Sequence, residues 1–173
     1  MFLVKADILY CRKLSRYHGD IQPKLVMLAK DGTLFLNDIL NFTPDNENGY
    51  KRMLHEKGYF SLLSPEALDD LNRKNEHPDY DQDKCDVWSI ALTVLTVSTD
   101  TDVSSNGLQL FYRRNGNEWT VNKDVIDSTL QKMQHQGKRS ETLVSTLRIM
   151  LSEKAEDRPS LYQILEFLRV ASV

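Results

Sequence analysis

The sequence predicts one mainly α-helical domain that carries a single small β-hairpin. Its 173 residues suffice for one domain with a substantial buried core. The stretch VWSIALTVLTV at 87–97 is apolar nearly all round a helical wheel, which is typical of a helix in the middle of a domain. Asp31-Gly32 lies between two short apolar runs, and this arrangement is a strong hairpin signal.

The first third of the chain predicts a helix, the hairpin and a long loop. Apolar residues recur at helical spacing within residues 2–15, at Val4, Ile8, Cys11 and Leu14. The apolar runs 25–28 and 33–36 are the two predicted strands. Residues 41–57 are rich in Asn, Asp, Glu, Pro and Gly, so we expect an irregular loop. Loops of this length in compact domains are usually functional or mobile.

The rest of the chain predicts four helices after a polar connection. Residues 69–83 are mostly polar and charged, so we expect a solvated segment there. The central buried helix follows at 86–98, and a weaker helix at about 125–133. Two further helices are predicted at 141–151 and 161–170, each preceded by a capping serine, Ser140 or Ser160. The buried stripe of the last helix comprises Leu161, Ile164, Leu165 and Leu168.

Composition and charge exclude several classes of partner and site. The formal net charge of -3 and the pI near 5.8 give no electrostatic footprint for nucleic acid or an anionic membrane. Charged residues interrupt the apolar residues at the N-terminus, so we expect this stretch to be neither a signal peptide nor a membrane span. Cys11 and Cys85 lie far apart with no histidine cluster near either, so we expect reduced thiols, no metal and no cofactor.

Five short motifs lie at the ends of the predicted helices, strands and loop. His18-Gly19-Asp20 follows the first helix, Asp38-Ile39-Leu40 follows the second strand, and Ser64-Pro65-Glu66 ends the long loop. Asp86-Val87-Trp88-Ser89 opens the central helix, and Asp157-Arg158-Pro159-Ser160 precedes the last one. In this order and in these contexts, the motifs resemble the C-terminal lobe of the protein kinases over essentially the whole chain.

The resemblance implies a catalytic-loop equivalent at 18–28 and an activation-segment equivalent at 38–66. A kinase catalytic loop needs an aspartate that accepts the substrate hydroxyl proton, and an asparagine five residues later that holds magnesium. Asp20 is retained, but the asparagine position is Leu25, which has no oxygen for a hard cation. The family's catalytic-loop lysine is replaced by Gln22.

These replacements predict degenerate positions rather than an active site. His18, Asp20, Gln22, Leu25 and the D-F-G aspartate equivalent Asp38 are therefore not expected to support catalysis. Only 17 residues precede His18, and no G-x-G-x-x-G sequence occurs, so the nucleotide-binding lobe is also predicted to be absent.

Four other residues are implied to have structural roles. Glu66 and Arg158 resemble the ion pair that ties the kinase activation segment to the last helices. Asp86 resembles a clamp on the catalytic-loop backbone, and Trp88 is expected in the core. The resemblance implies that the ion pair has a scaffold role in any kinase.

The resulting hypothesis is a catalytically inactive kinase-like module, a pseudokinase, that acts as a protein-binding or structural component of a larger assembly. In a whole kinase, the N-terminal lobe covers the hairpin, so we expect a protein partner on the face formed by Leu25, Met27, Leu34, Leu36 and Ile39. We expect an intracellular, cytoplasmic protein, and an inactive half-domain favours a cytoskeletal or ciliary assembly. Two alternatives stay open: a truncated or split Ser/Thr kinase that takes its N-terminal lobe from elsewhere, and a nucleotide sensor without catalysis.

Overall fold

The computed structural model describes residues 16–32, 34–37, 43–44, 62–73, 80–99, 109–135 and 141–170, and these are mainly helical. The α-helices within these ranges are α1 (Pro65–Arg73), α2 (Gln82–Ser98), α3 (Lys123–His135), α4 (Glu141–Met150) and α5 (Leu161–Val170). Short 3₁₀ turns lie at Pro23–Leu25, Gln109–Phe111 and Ala155–Asp157. The predicted mainly helical fold class with a small antiparallel strand pair is confirmed.

The strands form three separate two-stranded antiparallel sheets within the described ranges. They are β1 (Arg16–Tyr17), β2 (Val26–Leu28), β3 (Leu34–Leu36), β4 (Thr43–Pro44), β5 (Tyr112–Asn115) and β6 (Glu118–Val121). β1 pairs with β4, β2 with β3, and β5 with β6. The β2–β3 pair is the predicted hairpin, and Gly32 in its turn has a φ of +86° that favours glycine.

Helix α2 is the centre of the fold. Its fully buried side chains include Val87, Trp88, Ala91, Leu92 and Leu95. It contacts α3, α4, β1 and the 3₁₀ turns at Pro23–Leu25 and Ala155–Asp157. The helix begins four residues before the predicted 86–98 because the Asp81 side chain caps it, accepting a hydrogen bond from the Asp83 N–H at 2.9 Å.

The prediction of a solvated segment over 69–83 is wrong at both ends. Residues 69–73 form the last part of α1, and Gln82 and Asp83 open α2. The polar side chains of α1 lie partly on its exposed face, where Arg73 and Asp69 form an i,i+4 ion pair at 3.0 Å. Its apolar residues Ala67 and Leu68 face the core.

The prediction of a single hairpin is also wrong, because β5 and β6 form another. Asn115 and Glu118 are the last paired residues, and Gly116 in the turn has a φ of +63°. The two turn residues, Gly116-Asn117, are themselves a hairpin signal, which the charged residues around them obscure. Helix α3 follows from Lys123, two residues before its predicted start.

The last helix begins with a reciprocal cap. The Gln163 N–H donates to Ser160 Oγ at 3.3 Å, and the Ser160 N–H donates to Gln163 Oε1 at 2.7 Å. Leu161 and Ile164 are buried, as the predicted stripe requires. The side chains of Leu165 and Leu168 lie outside the described residues, and so does Ser140.

Several predictions fall outside the described residues. These are the helix at 2–15, the loop at 41–57 apart from Thr43–Pro44, which form β4 rather than irregular loop, and the positions Cys11, Asp38 and Ile39. Across the ranges that the structure does describe, no helix combines the length and the apolar character that crossing a membrane would require.

Candidate functional site

The loop that follows β1 is fixed to the central helix by one carboxylate. Asp86 Oδ2 accepts a hydrogen bond from the His18 N–H, and Asp86 Oδ1 accepts one from the Gly19 N–H, both at 3.0 Å. All three residues are buried. Gly19 has a φ of +74°, in the left-handed region, so a side chain at this position would strain the loop. The structure thus brings Asp86 to the main chain of the loop.

Hydrogen bonds within the loop engage the side chains of the candidate site. The Asp20 N–H donates to His18 Nδ1 at 3.3 Å, and Gln22 Nε2 donates to Asp20 Oδ1. Thr93 on α2 donates to the Ile21 carbonyl at 3.4 Å. Asp20 is 4% exposed and Gln22 is 2% exposed, so this carboxylate–amide contact lies in the interior.

Leu25 ends the 3₁₀ turn that leads from the loop into the hairpin. Its N–H donates to the Gln22 carbonyl at 3.0 Å, and its carbonyl accepts from the Asn37 N–H at 2.8 Å. The Leu25 side chain is half-buried. The position therefore contributes an apolar surface and main-chain hydrogen bonds, and it offers no side-chain ligand.

A two-point ion pair joins the start of α1 to the segment before α5. Arg158 Nη1 and Nη2 donate to the two carboxylate oxygens of Glu66 at 2.6 and 2.7 Å. The Arg158 side chain is fully buried, and the Glu66 side chain is 20% exposed. Such parallel hydrogen bonds between charged groups are the strong, geometrically specific kind.

Arg158 uses its remaining donors on main-chain carbonyls. Nε donates to Ser152 at 2.8 Å, Nη2 to Glu153 at 3.0 Å, and Nη1 to Lys84 at 3.0 Å. Its guanidinium carbon also lies 5.0 Å from the centre of the buried Trp88 ring. The arginine therefore links α1, α2 and the turn before α5.

Cys85 shares the Glu66 carboxylate with Arg158. The Cys85 thiol donates to Glu66 Oε1 at 3.2 Å and accepts from the Ser64 hydroxyl at 3.1 Å. Burial, followed by the negative charge of Glu66, raises the pKa of the Cys85 thiol well above its ordinary value. Cys85 therefore stays a neutral hydrogen-bond donor, which is what the carboxylate requires.

Glu66 makes the stability of the protein depend on pH in the acid range. Burial raises the pKa of its carboxyl, but the hydrogen bonds and positive charge of Arg158 outweigh this, and the pKa lies below its ordinary value of 4.5. The stabilising contribution of a carboxyl with a lowered pKa is complete above its unfolded-state pKa. It is lost as the pH falls through the folded-state pKa.

We therefore expect the unfolding free energy of the wild-type chain to fall more steeply below pH 4.5 than that of Glu66→Gln. Urea titrations at a series of pH values measure both slopes. Identical slopes for the two proteins would contradict a lowered pKa at Glu66.

Two side chains hold the segment 62–63 before α1, and this role was not predicted from the sequence for either of them. The Ser89 hydroxyl donates to the Leu62 carbonyl at 2.8 Å, and the Tyr112 hydroxyl donates to the Leu63 carbonyl at 3.0 Å. Ser89 follows Asp86 by three positions, so both lie on one face of the helix, and this helical spacing of polar residues is a signal that points to Ser89. No local pattern points to Tyr112.

The predicted interface residues do not share one face. Met27 lies directly opposite Phe35 in the β2–β3 register, and these two are 42% and 38% exposed. Leu25 and Leu34 are half-buried. Leu36 is only 1% exposed, because alternate strand residues point to opposite faces and Leu36 points into the core. Its assignment to the interface is wrong, and the outward apolar pair is Met27 and Phe35.

Metal-ligating side chains do not cluster in the described ranges, where no group of three or more His, Cys, Asp and Glu residues is placed to hold an ion. Asp38, the remaining carboxylate of the predicted degenerate site, lies outside those ranges.

Comparisons with known proteins relate the chain to protein kinases. No protein-family model matches it. It is 34% identical over 100 residues to the "Membrane-associated tyrosine- and threonine-specific cdc2-inhibitory kinase wee-1.3" of Caenorhabditis elegans, and equally so to the protein of that name in Caenorhabditis briggsae. Each match covers 57% of this chain and spans 13% or 14% of the kinase. This similarity indicates a protein kinase-like relationship.

Proposed function

We propose that this chain is a catalytically inactive kinase-like module that acts by binding another protein. The observation that carries the proposal is the buried contact between Gln22 and Asp20. An aspartate that accepts a proton from a substrate hydroxyl must offer its carboxylate to that hydroxyl. Here one carboxylate oxygen accepts from a neutral amide, at the position where the resemblance expects a lysine.

Two substitutions in this loop remove groups that phosphoryl transfer uses. Gln22 brings no positive charge to stabilise the transferring phosphoryl group, and Leu25 brings no oxygen to a magnesium ion. Positioned charges that stabilise the transition state usually contribute more to such catalysis than any other single effect. The polar contacts of the loop instead hold its own main chain to α2, which supports a structural role.

The metal-dependent part of this proposal is tested by nucleotide titration. We expect the full chain to bind ATP no more tightly with Mg²⁺ than without it, because Leu25 cannot ligate the ion. Isothermal titration calorimetry with and without Mg²⁺ makes the comparison, and Leu25→Asn, which restores an amide oxygen, is the matched variant. Binding by the wild-type chain that tightens when Mg²⁺ is added would contradict the proposal.

The surface that supports a binding role is the outward face of the β2–β3 hairpin. Met27 and Phe35 form a cross-strand apolar pair there, next to the half-buried Leu25. Large apolar side chains that are exposed together mark interaction sites more often than scattered ones do. We propose that a protein partner covers this pair.

We expect Met27→Asp/Phe35→Asp to lose the proteins that the tagged wild-type chain retains in affinity purification. Tyr162→Asp/Phe167→Asp is the matched control, since both residues are exposed apolar side chains on α5. Circular dichroism checks that each variant is folded. Retention of the same proteins by the hairpin variant would place the interface elsewhere.

A further inference from the structure

The two edges of the β5–β6 hairpin differ in whether their main-chain hydrogen-bonding groups already have partners. On the β6 edge, the Asn72 side chain of α1 bonds to the main chain of Trp119 in both directions. Asn72 Nδ2 donates to the Trp119 carbonyl at 2.7 Å, and the Trp119 N–H donates to Asn72 Oδ1 at 3.0 Å. This amide occupies the donor and the acceptor that a neighbouring strand would use, so the β6 edge is blocked at Trp119.

Among the described residues, none covers the β5 edge at the corresponding position. Both main-chain groups of Trp119 point away from β5, so Trp119 and its partner Arg114 are a pair without mutual hydrogen bonds. The N–H and C=O of Arg114 must then point outward from the opposite edge. Arg114 is exposed, and within the described part of the chain no turn, loop or side chain bonds to its main chain.

Positive charge lies on both faces of this open edge. Arg113 points to the outer face, where it pairs with Asp124 at 2.6 Å, and the two side chains are 57% and 81% exposed. Arg114 points to the other face, where its guanidinium lies 5.8 Å from the Trp119 ring and Nε donates to the Gly116 carbonyl at 3.1 Å. A strand added beside β5 would therefore meet an arginine on each face.

We propose that the open edge of β5 binds an extended acidic segment of another protein as an added strand. Main-chain hydrogen bonds to Arg114 supply the pairing, and two consecutive acidic residues meet Arg113 and Arg114 on the two faces. A second copy of this chain is a poor occupant, because pairing two β5 edges brings arginines together. This inference goes beyond the proposed function and uses a different surface from the β2–β3 face.

Three synthetic peptides separate strand addition from simple charge attraction. The probe is a fluorescein-labelled octapeptide, Thr-Val-Glu-Glu-Val-Thr-Val-Gly, whose binding to the full chain is followed by fluorescence anisotropy. The first comparison peptide carries Lys-Lys in place of Glu-Glu. The second keeps both glutamates, but N-methylation removes their main-chain donors. We expect the probe to bind, and each comparison peptide to bind about tenfold more weakly or not at all.

Variants of the chain locate the site. We expect Arg113→Glu/Arg114→Glu to weaken probe binding about tenfold or more. Lys132→Glu/Arg148→Glu makes the same change in net charge at exposed positions on α3 and α4, and it should bind the probe nearly as the wild type does. In the wild-type chain, the Arg114 amide resonance should shift on titration with the probe, which tests the edge without any substitution.

Each contrary result overturns the inference. Equal binding of the Lys-Lys peptide would show that the arginines do not select the partner, and unchanged binding of the N-methylated peptide would show that no strand is added. Concentration-dependent dimerisation that Arg113→Glu/Arg114→Glu abolishes would show that the edge binds a second copy. None of these outcomes bears on phosphoryl transfer or on the β2–β3 face.

Discussion

Glu66→Ala is expected to lower the free energy of unfolding by about 3–5 kcal/mol, because it leaves the fully buried Arg158 guanidinium without its counter-charge. The substitution also removes the acceptor of the Cys85 thiol. The main-chain carbonyls that Arg158 contacts cannot neutralise its charge. Urea denaturation followed by circular dichroism measures the loss.

Asp20→Ala is the comparison for this prediction. It removes a carboxylate that accepts from a neutral amide and leaves the Glu66–Arg158 ion pair intact, so we expect a clearly smaller loss of stability. Small, equal changes in both variants would show that the ion pair contributes little to the fold.

Asp86→Ala is expected to cost roughly 2–4 kcal/mol, because each buried polar group left without a partner costs about 1–3 kcal/mol. The carboxylate accepts from the main chain of both His18 and Gly19, and neither N–H can reach water without movement of the loop. We also expect these two amides to exchange hydrogen faster in the variant, which mass spectrometry or NMR measures directly.

Asp81→Ala is the matched control for Asp86→Ala. Asp81 caps the same helix through one hydrogen bond from an exposed position, and loss of such a cap typically costs about 1 kcal/mol. If Asp86→Ala destabilises the chain no more than Asp81→Ala does, or leaves exchange at His18 and Gly19 unchanged, the clamp does not hold the loop.

The elements that the sequence predicts well are those whose signal is local. Residues 87–97 of helix α2 are apolar nearly all round, and the β2–β3 hairpin has Asp31-Gly32 between apolar runs, so neighbouring residues decide both. The contact of Glu66 with Arg158 joins positions 92 residues apart, and no periodicity encodes it. Only the resemblance to the kinases suggests that pair.

The β5–β6 hairpin shows why some elements escape sequence reasoning. Its strands carry consecutive arginines and no apolar run, so the Gly116-Asn117 signal lacks the flanking pattern that supports it. Tertiary contacts stabilise it instead: Asn72 reaches Trp119 across 47 residues, and Tyr112 reaches Leu63 across 49. Strand propensity depends on such neighbours more than on composition.

The error at Leu36 has a similarly simple cause. The prediction places apolar residues of both strands in one interface without asking to which face of the sheet each side chain points. With a period of two, Met27 and Phe35 share the outward face, whereas Leu36 pairs with Val26 and points inward. The strand register, once known, selects Phe35 in place of Leu36.

Transfer of phosphate from radiolabelled ATP tests the central claim most directly. The full chain, incubated with Mg-ATP and either itself or a generic protein substrate, is expected to incorporate no label above the level of Asp20→Ala, since Gln22 and Leu25 replace groups that the reaction uses. Incorporation by the wild-type chain that Asp20→Ala abolishes would contradict the account, and the chain would then be a working kinase or part of one.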